Sequence, residues 1–127
     1  MKKIVVDTNG FLRFILDDVP AQKKSFEKLL EEAKQNQLVL FVPQIVIFEI
    51  EFTLSKYYHF SKEDIIKRLK SIIAASYLDI QDQDIFQTAL KLYSGQNISF
   101  VDCFLKTISE RERAELFTFD KKLQKLK

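Results

Sequence analysis

The sequence predicts a three-layer α/β/α sandwich built around a central, mainly parallel β-sheet. Two observations carry this prediction: short apolar runs alternate along the chain with amphipathic segments of helical period, and no repeat or linker interrupts them. Strands that alternate with helices form parallel sheets covered by helices on both faces. A chain of 127 residues has the length of one domain, so a single domain over residues 1–127 is predicted.

The composition narrows the class of protein. Apolar residues make up 46% and charged residues 30% of the chain, a balance typical of globular proteins. The net charge of +2 excludes a polybasic nucleic-acid binder by bulk charge, so such a partner must be argued from local features. The one cysteine excludes an internal disulfide framework and a cysteine-based zinc site. Since no apolar run is long enough to span a membrane, we expect a cytoplasmic protein.

The first third of the chain predicts two strands and two helices. Residues 4–6 form an unbroken apolar run that suits a strand buried on both faces. Asp7 or Thr8 can cap the short helix that follows. An amphipathic helix is predicted over residues 21–36, and a second buried strand over residues 38–42.

The middle of the chain continues the alternation. The helix after the second strand is apolar on almost every side between residues 45 and 54, which predicts little exposed surface. Ser61 with Asp64 resembles a capping box that opens the next helix. Residues 78–80 can form a short strand.

The last third is predicted to end in a strand and a helix. One amphipathic helix ends near Gly95, and Ser99 opens another. Residues 116–119 are predicted as a last strand, followed by Asp120 and a short lysine-rich helix.

Four acids occupy positions where open α/β sheets carry their ligand sites, near the carboxyl ends of strands. Asp7 follows the first predicted strand, and Asp120 follows the last. Glu49 lies about two turns into the helix after the second strand, and Asp102 lies in the first turn of its helix. These four residues are therefore the candidate catalytic and ligand-binding residues.

Metal binding would explain why these acids tolerate their surroundings. Glu49 and Asp102 interrupt otherwise apolar stretches, and buried carboxylates are rare unless paired, hydrogen-bonded or bound to a metal. Carboxylates that converge on one cleft repel one another, and a divalent cation removes that penalty. Hard oxygen ligands without His or Cys favour Mg²⁺ or Mn²⁺, which suggests phosphoryl-transfer or phosphodiester chemistry.

Each acid also has a purely structural explanation. Asp7 and Asp120 can be helix N-caps, and Asp102 can be a first-turn acid favoured by the helix dipole. Glu49 can belong to a buried ion pair. Glu51 competes with Glu49 for the cleft, because residues two apart on a helix point to different faces.

The remaining chemically interesting residues have mainly structural interpretations. His59 is predicted to be a capping or surface residue, and Cys103 a small core residue. Tyr57 and Tyr58 are predicted to lie mostly in the core, although an exposed tyrosine could stack on a nucleic-acid base.

The four acids and their surroundings resemble the PIN-domain family, in particular the VapC-type toxins of toxin–antitoxin pairs. The likeness runs from about residue 3 to about residue 124, and its motifs are Val6-Asp7-Thr8-Asn9, Pro43-Gln44-Ile45-Val46-Ile47-Phe48-Glu49, Phe100-Val101-Asp102 and Thr118-Phe119-Asp120. The resemblance implies a PIN-like fold and a metal-dependent endoribonuclease that hydrolyses RNA phosphodiesters with a water activated by Mg²⁺ or Mn²⁺. The implied catalytic and metal-binding cluster is Asp7, Glu49, Asp102 and Asp120.

The resemblance further implies supporting residues and partners. Thr8, Asn9 and Thr118 match the polar neighbours that support the acidic cluster. An RNA substrate, a cognate antitoxin protein and a homodimer are implied as partners, with no membrane. Four basic residues near these motifs are candidates for binding the RNA backbone: Arg13, Lys121, Lys122 and Lys125. The alternative is that they only form a solvated face.

Two other functions stay open at this point. A catalytically silent PIN-fold binding or scaffold module would keep the fold and the partner without turnover. An aspartyl-phosphate receiver or phosphatase fits the length and class, but the phosphatase pattern requires Asp where this chain has Asn9. A receiver requires paired acids after its first strand, whereas the central acid here, Glu49, lies in a predicted helix.

Overall fold

The computed structural model describes residues 1–126, which form three strands and seven helices. In chain order they are β1 (Lys3–Val5), α1 (Thr8–Leu16), α2 (Pro20–Lys34), β2 (Val39–Val42), α3 (Gln44–Lys56), α4 (Lys62–Ile73), β3 (Leu78–Ile80), α5 (Gln83–Gly95), α6 (Phe100–Arg111) and α7 (Lys121–Gln124). The chain divides into two compact units, the first spanning Met1–Gln81 and the second beginning at Asp82. The prediction of a single domain over the whole chain stays a prediction.

The sheet of the first unit is parallel throughout, with strand order β1-β2-β3. Its hydrogen-bonded register sets Leu40 of β2 between Ile4 of β1 and Leu78 of β3. Because side chains alternate along a strand, these residues share one face, and Leu40 is fully buried there. Val42 and Ile80 continue that buried face toward the carboxyl ends of their strands.

A charged and aromatic ladder crosses the other face of the sheet. The Lys3 ammonium lies 4.8 Å from the centre of the Phe41 ring and 3.7 Å from a carboxylate oxygen of Asp79. These three residues come from β1, β2 and β3 in turn. Cross-strand contacts of this kind favour one register, since a slip by one residue would move every side chain to the opposite face.

The first predicted strand is present but shifted by one residue, and it is not buried on both faces. Val5 is 66% exposed. The reason is the position of β1 in the sheet, where it pairs with β2 along one edge. An apolar run alone does not specify whether a strand is central or lies at an edge.

The predicted last strand, residues 116–119, is wrong: this segment is irregular. Phe117 and Phe119 are 81% and 85% exposed. The local polar groups bond to side chains instead of to a neighbouring strand: Asp120 N donates to Thr118 Oγ1, and Gln124 Nε2 donates to Thr118 O. Strand propensity is strongly context-dependent, and local side-chain bonds compete with strand pairing.

Helix α3 buries one stripe and exposes the other. Val46, Ile47, Ile50 and Leu54 form the buried stripe. The opposite stripe is exposed, and Ile45 there is 60% exposed. The expectation of a helix with little exposed surface is therefore wrong, because only part of the circumference of α3 meets the core.

Several helix starts agree with their sequence signals. Ser61 Oγ accepts a 3.1 Å hydrogen bond from Asp64 N at the start of α4. Ser99 Oγ accepts one of the same length from Asp102 N at the start of α6. Both serines are the N-caps that the sequence predicts. Helix α5 ends at Gly95, also as predicted.

In each unit, aromatic side chains connect neighbouring helices. Phe26 of α2 meets Phe11 of α1 edge-on, with ring centres 5.1 Å apart. In the second unit, Phe86 of α5 packs against Phe104 of α6 at 4.8 Å. Cys103 is fully buried, which confirms its prediction as a core residue.

Candidate active site

An open groove of about 640 Å³ lies beside the carboxyl ends of β1 and β2 in the first unit. Both Asp7 and Glu49 line it, and we call it the acidic groove. Thr8, Asn9 and Arg13 contribute to the same wall, so five of the residues singled out from the sequence come together here.

Asp7 is held in the acidic groove by its role as a helix cap. It follows β1 directly, and its Oδ1 accepts a 3.3 Å hydrogen bond from Gly10 N in the first turn of α1. The structural explanation of Asp7 as an N-cap is therefore confirmed. A carboxylate has two oxygens and about four lone pairs, so the cap leaves Asp7, which is exposed, able to bind a ligand.

Glu49 lies on the exposed stripe of α3 rather than in an apolar environment. It is exposed and makes no hydrogen bond or ion pair with residues 1–126. The alternative of a buried ion pair is therefore wrong for Glu49. Glu51, two residues later, is half-buried and has a partner within the chain. Glu49 lines the acidic groove and Glu51 does not.

The other two acids belong to the second unit. Asp102 is half-buried in the first turn of α6, as the sequence predicts. Asp120 is exposed and is the N-cap of α7, with Oδ1 accepting a 3.0 Å hydrogen bond from Leu123 N. Thr118 Oγ1 accepts a hydrogen bond from Asp120 N, so Thr118 helps to orient this acid.

The likeness to known proteins identifies the family. The family model for the PIN domain matches residues 4–127. The chain belongs to the PIN domain family. It is also 28% identical over 124 residues to the VapC ribonuclease of Aquifex aeolicus (strain VF5), which covers 96% of this chain and 90% of that protein. The resemblance predicted from the motifs is confirmed, and with it the α/β/α fold class with a parallel sheet.

The metal-binding capacity of this PIN domain follows from its carboxylates. Within residues 1–126, no three His, Cys, Asp or Glu side chains are grouped closely enough to hold an ion. Two of the predicted ligands, Asp7 and Glu49, share the acidic groove. Mg²⁺ is commonly bound by one or two carboxylates, with waters and substrate phosphates as its other ligands. Asp7 and Glu49 therefore fit such an ion, while the four-acid cluster stays a prediction.

The predicted RNA-binding cations occupy both units of the PIN domain. Arg13 lines the acidic groove, and its Nη1 lies 3.0 Å from a carboxylate oxygen of Asp18. Lys121, Lys122 and Lys125 are exposed on and next to α7. Their contact with RNA stays a prediction.

Two aromatic residues of the acidic groove were not predicted as part of the site. Tyr57 and Tyr58 are 66% and 43% exposed, and both line the groove, so the prediction that they lie mostly in the core is wrong. Their position at the end of the helix, next to the exposed His59, was the feature that could have indicated their exposure. Exposure of His59 itself agrees with its prediction as a capping or surface residue.

Membrane-spanning helices require length as well as an apolar composition. Over residues 1–126, no helix is both long enough and apolar enough to cross a membrane.

Proposed function

We propose that this PIN domain is a Mg²⁺- or Mn²⁺-dependent endoribonuclease and the toxin of a VapBC-type toxin–antitoxin pair. The observation that carries the proposal is the position of Asp7 and Glu49 in one open groove beside the strand ends. The likeness to a relative named VapC ribonuclease supports the same activity. We further propose that the protein acts on RNA in the cytoplasm.

The carboxylates are proposed to hold the metal. Asp7 and Glu49 are the ligands from the first unit, and we include Asp102 and Asp120 because of the family motifs that they carry. When bound, a divalent ion lowers the pKa of water and offsets the negative charge that builds on a phosphate during hydrolysis.

The other residues of the proposed site position its ligands. The hydrogen bond from Gly10 N restricts the orientation of the Asp7 carboxylate. Thr8 and Asn9 lie in the first turn of α1 beside it, and Thr118 supports Asp120 by accepting the hydrogen bond from its backbone N–H. Residues that orient metal ligands usually matter for activity nearly as much as the ligands themselves.

The proposed partners follow from the same function. An antitoxin segment that carries an arginine could neutralise the carboxylates of the acidic groove through charge-assisted hydrogen bonds. Homodimerisation is part of the proposal and is tested by the mass of the purified protein in solution.

The first experiment compares the cleavage of total cellular RNA by the wild-type protein with Mg²⁺, with Mn²⁺ and with EDTA. Asp7→Asn is expected to lower cleavage by at least roughly a hundredfold, since losing even a residue that supports a metal ligand commonly costs 10–100-fold. Asparagine is an equally good N-cap, so α1 and the fold should persist. Circular dichroism and the thermal midpoint check that they do.

A matched pair of glutamates tests the geometry of the acidic groove. Glu49→Gln is expected to lose cleavage in the same way as Asp7→Asn, whereas Glu51→Gln, outside the groove, should retain it. Wild-type cleavage by both Asp7→Asn and Glu49→Gln would contradict the proposed site. A folded protein without metal-dependent cleavage would favour the binding or scaffold function.

A further inference from the structure

Two tyrosines at the end of α3 face the same groove as the acids. Tyr57 and Tyr58, which we call the tyrosine pair, line the acidic groove together with Asp7 and Glu49. Large rings that stay 66% and 43% exposed gain little from the core, so burial does not explain why they are aromatic. Exposed aromatic groups gathered at a groove commonly mark a binding surface.

The backbone fixes the tyrosine pair to the buried part of α3. Tyr57 N and Tyr58 N both donate to Thr53 O, at 3.0 and 3.3 Å. Phe60 N then donates to Leu54 O at 2.9 Å, closing a turn in which His59 adopts the left-handed region with a φ of 54°. Because the turn is tied back to the helix, the backbone that carries the rings has little conformational freedom to lose on binding.

The surroundings of the tyrosine pair suit a nucleic-acid strand. Tyr57 is braced by Phe52, whose ring centre lies 6.2 Å away at an interplanar angle of 80°. Lys56, immediately before the pair, is exposed and has no ion-pair partner among residues 1–126. Aromatic rings for the bases beside a free cation for the phosphates are the combination that binds single-stranded nucleic acids.

We propose that Tyr57 and Tyr58 stack on unpaired bases of the RNA next to the phosphodiester bond that is hydrolysed. Through this stacking, the two residues would favour single-stranded or looped RNA over duplex RNA. This inference rests on the proposed ribonuclease function. In a duplex the faces of the bases are already stacked and cannot meet a tyrosine ring, whereas splayed bases in loops and single strands can.

The absence of tryptophan from the sequence makes a direct test of binding available. Tyr58→Trp keeps an aromatic ring at this position and introduces a single indole whose emission is quenched when a base stacks on it. The titration uses oligouridylate and oligoadenylate, with a blunt RNA duplex of the same length as the comparison. An Asp7→Asn background with Mg²⁺ present prevents consumption of the RNA.

The expected result is quenching by the single strands and not by the duplex. The matched control is Tyr77→Trp in the same background, because Tyr77 belongs to the same unit but does not line the acidic groove. Unchanged emission at position 58, or equal quenching by the duplex, would overturn the inference. In that case the tyrosine pair would be assigned to a protein partner.

A cleavage assay tests the consequence for activity. Tyr57→Ala and Tyr58→Ala are each expected to lower kcat/KM on single-stranded RNA by about tenfold, the usual effect of losing one stacked ring. Tyr57→Phe and Tyr58→Phe should retain cleavage, since phenylalanine still stacks. Tyr77→Ala is the control for an unrelated tyrosine.

The two assays separate this inference from the proposed function. If the wild type cleaves RNA and Tyr57→Ala and Tyr58→Ala cleave it equally well, the stacking role is overturned. The ribonuclease proposal would then still stand. Quenching of Tyr58→Trp by single strands together with a lack of cleavage in any metal would support the stacking role and contradict the ribonuclease.

Discussion

At the scale of single residues, the two glycines of the chain have opposite surroundings. A Cβ atom added to Gly10 would lie 2.6 Å from Phe26 Cε1 and 2.8 Å from Phe26 Cδ1. Phe26 is itself buried and in contact with Phe11, so its ring has little freedom to yield. A Cβ atom added to Gly95 would meet nothing within 4 Å. Gly10 therefore permits the close approach of α1 and α2.

Gly10→Ala is expected to destabilise the protein by about 1–3 kcal/mol, because overpacking a filled core outweighs the gain in helix propensity. Gly95→Ala should instead be neutral or stabilise by up to about 1 kcal/mol, since alanine favours helix and no atom is displaced. Chemical denaturation of both variants measures the free energies of unfolding. Equal effects of the two substitutions would show that the Phe26 contact is unimportant.

Residues whose structural role depends only on a few neighbours in the sequence were the best predicted. Ser61 and Ser99 cap helices as expected, because capping depends on a few neighbouring backbone groups. Tyr57 and Tyr58 were wrongly predicted as mostly core, because exposure depends on which other elements reach the end of α3. Composition and spacing carry no information on that point.

At the scale of elements, an ion pair connects the first turn of α5 to the last turn of α6. Arg111 Nη1 donates to a carboxylate oxygen of Asp84. The hydrogen bond from Arg111 holds the pKa of Asp84 below its ordinary value. The pair therefore adds stability at neutral pH, and this contribution is lost as the pH falls through the lowered pKa of Asp84.

Arg111→Gln is expected to raise the pKa of Asp84 back toward its ordinary value, since the charged hydrogen-bond donor is removed. The side-chain carboxyl signal of Asp84, followed by NMR across an acid titration, measures the change. Arg111→Lys is the matched control: it keeps the charge without the planar guanidinium, so the rise should be smaller. An Asp84 titration that is identical in wild type and Arg111→Gln would contradict the pairing.

The elements that sequence reasoning misassigned are those that depend on distant partners. Residues 116–119 have strand-forming side chains, but a strand also requires a neighbour for its backbone, and here the local bonds of Thr118 prevail. For α3, sequence did not indicate which stripe would meet the core. The strands predicted over residues 38–42 and 78–80, by contrast, are present at Val39–Val42 and Leu78–Ile80, where each finds a parallel neighbour.

At the scale of the whole molecule, the proposed metal ligands allow metal binding to be tested through stability. An ion that binds the folded protein stabilises it by mass action, and the gain is about 2.7 kcal/mol at roughly a hundredfold excess over the dissociation constant. If Asp7 and Glu49 are ligands, Mg²⁺ or Mn²⁺ should raise the thermal midpoint of the wild-type protein. This readout does not depend on RNA.

The increase should disappear in the double variant Asp7→Asn/Glu49→Gln and persist in Glu27→Gln, which removes an exposed acid on α2 outside the groove. Differential scanning calorimetry with and without Mg²⁺ measures the thermal midpoints of the wild type and the two variants. An equal increase in all three proteins would place the binding of the ion elsewhere.

The fold class could be predicted from the sequence because strand–helix alternation is a property of the whole chain, and it needs no knowledge of individual contacts. For the candidate site, the sequence predicted five residues that line the acidic groove, but it did not predict their surroundings. Their surroundings were misjudged for Glu49, which is exposed on α3 although its sequence neighbours are apolar. Apolar neighbours along a helix point in several directions, so they do not determine the environment of the residue among them.

The contact between Gly10 and Phe26 has a consequence for genetics. Gly10 N is also the donor to the Asp7 carboxylate, so a bulkier residue at position 10, forced away from Phe26, is expected to disturb a hydrogen bond of the proposed active site. If the protein is the toxin that we propose, a selection for cells that survive its expression should therefore recover substitutions at position 10 alongside the acids. Substitutions at position 10 would act through the packing of α1 against α2 and not through a contact with RNA.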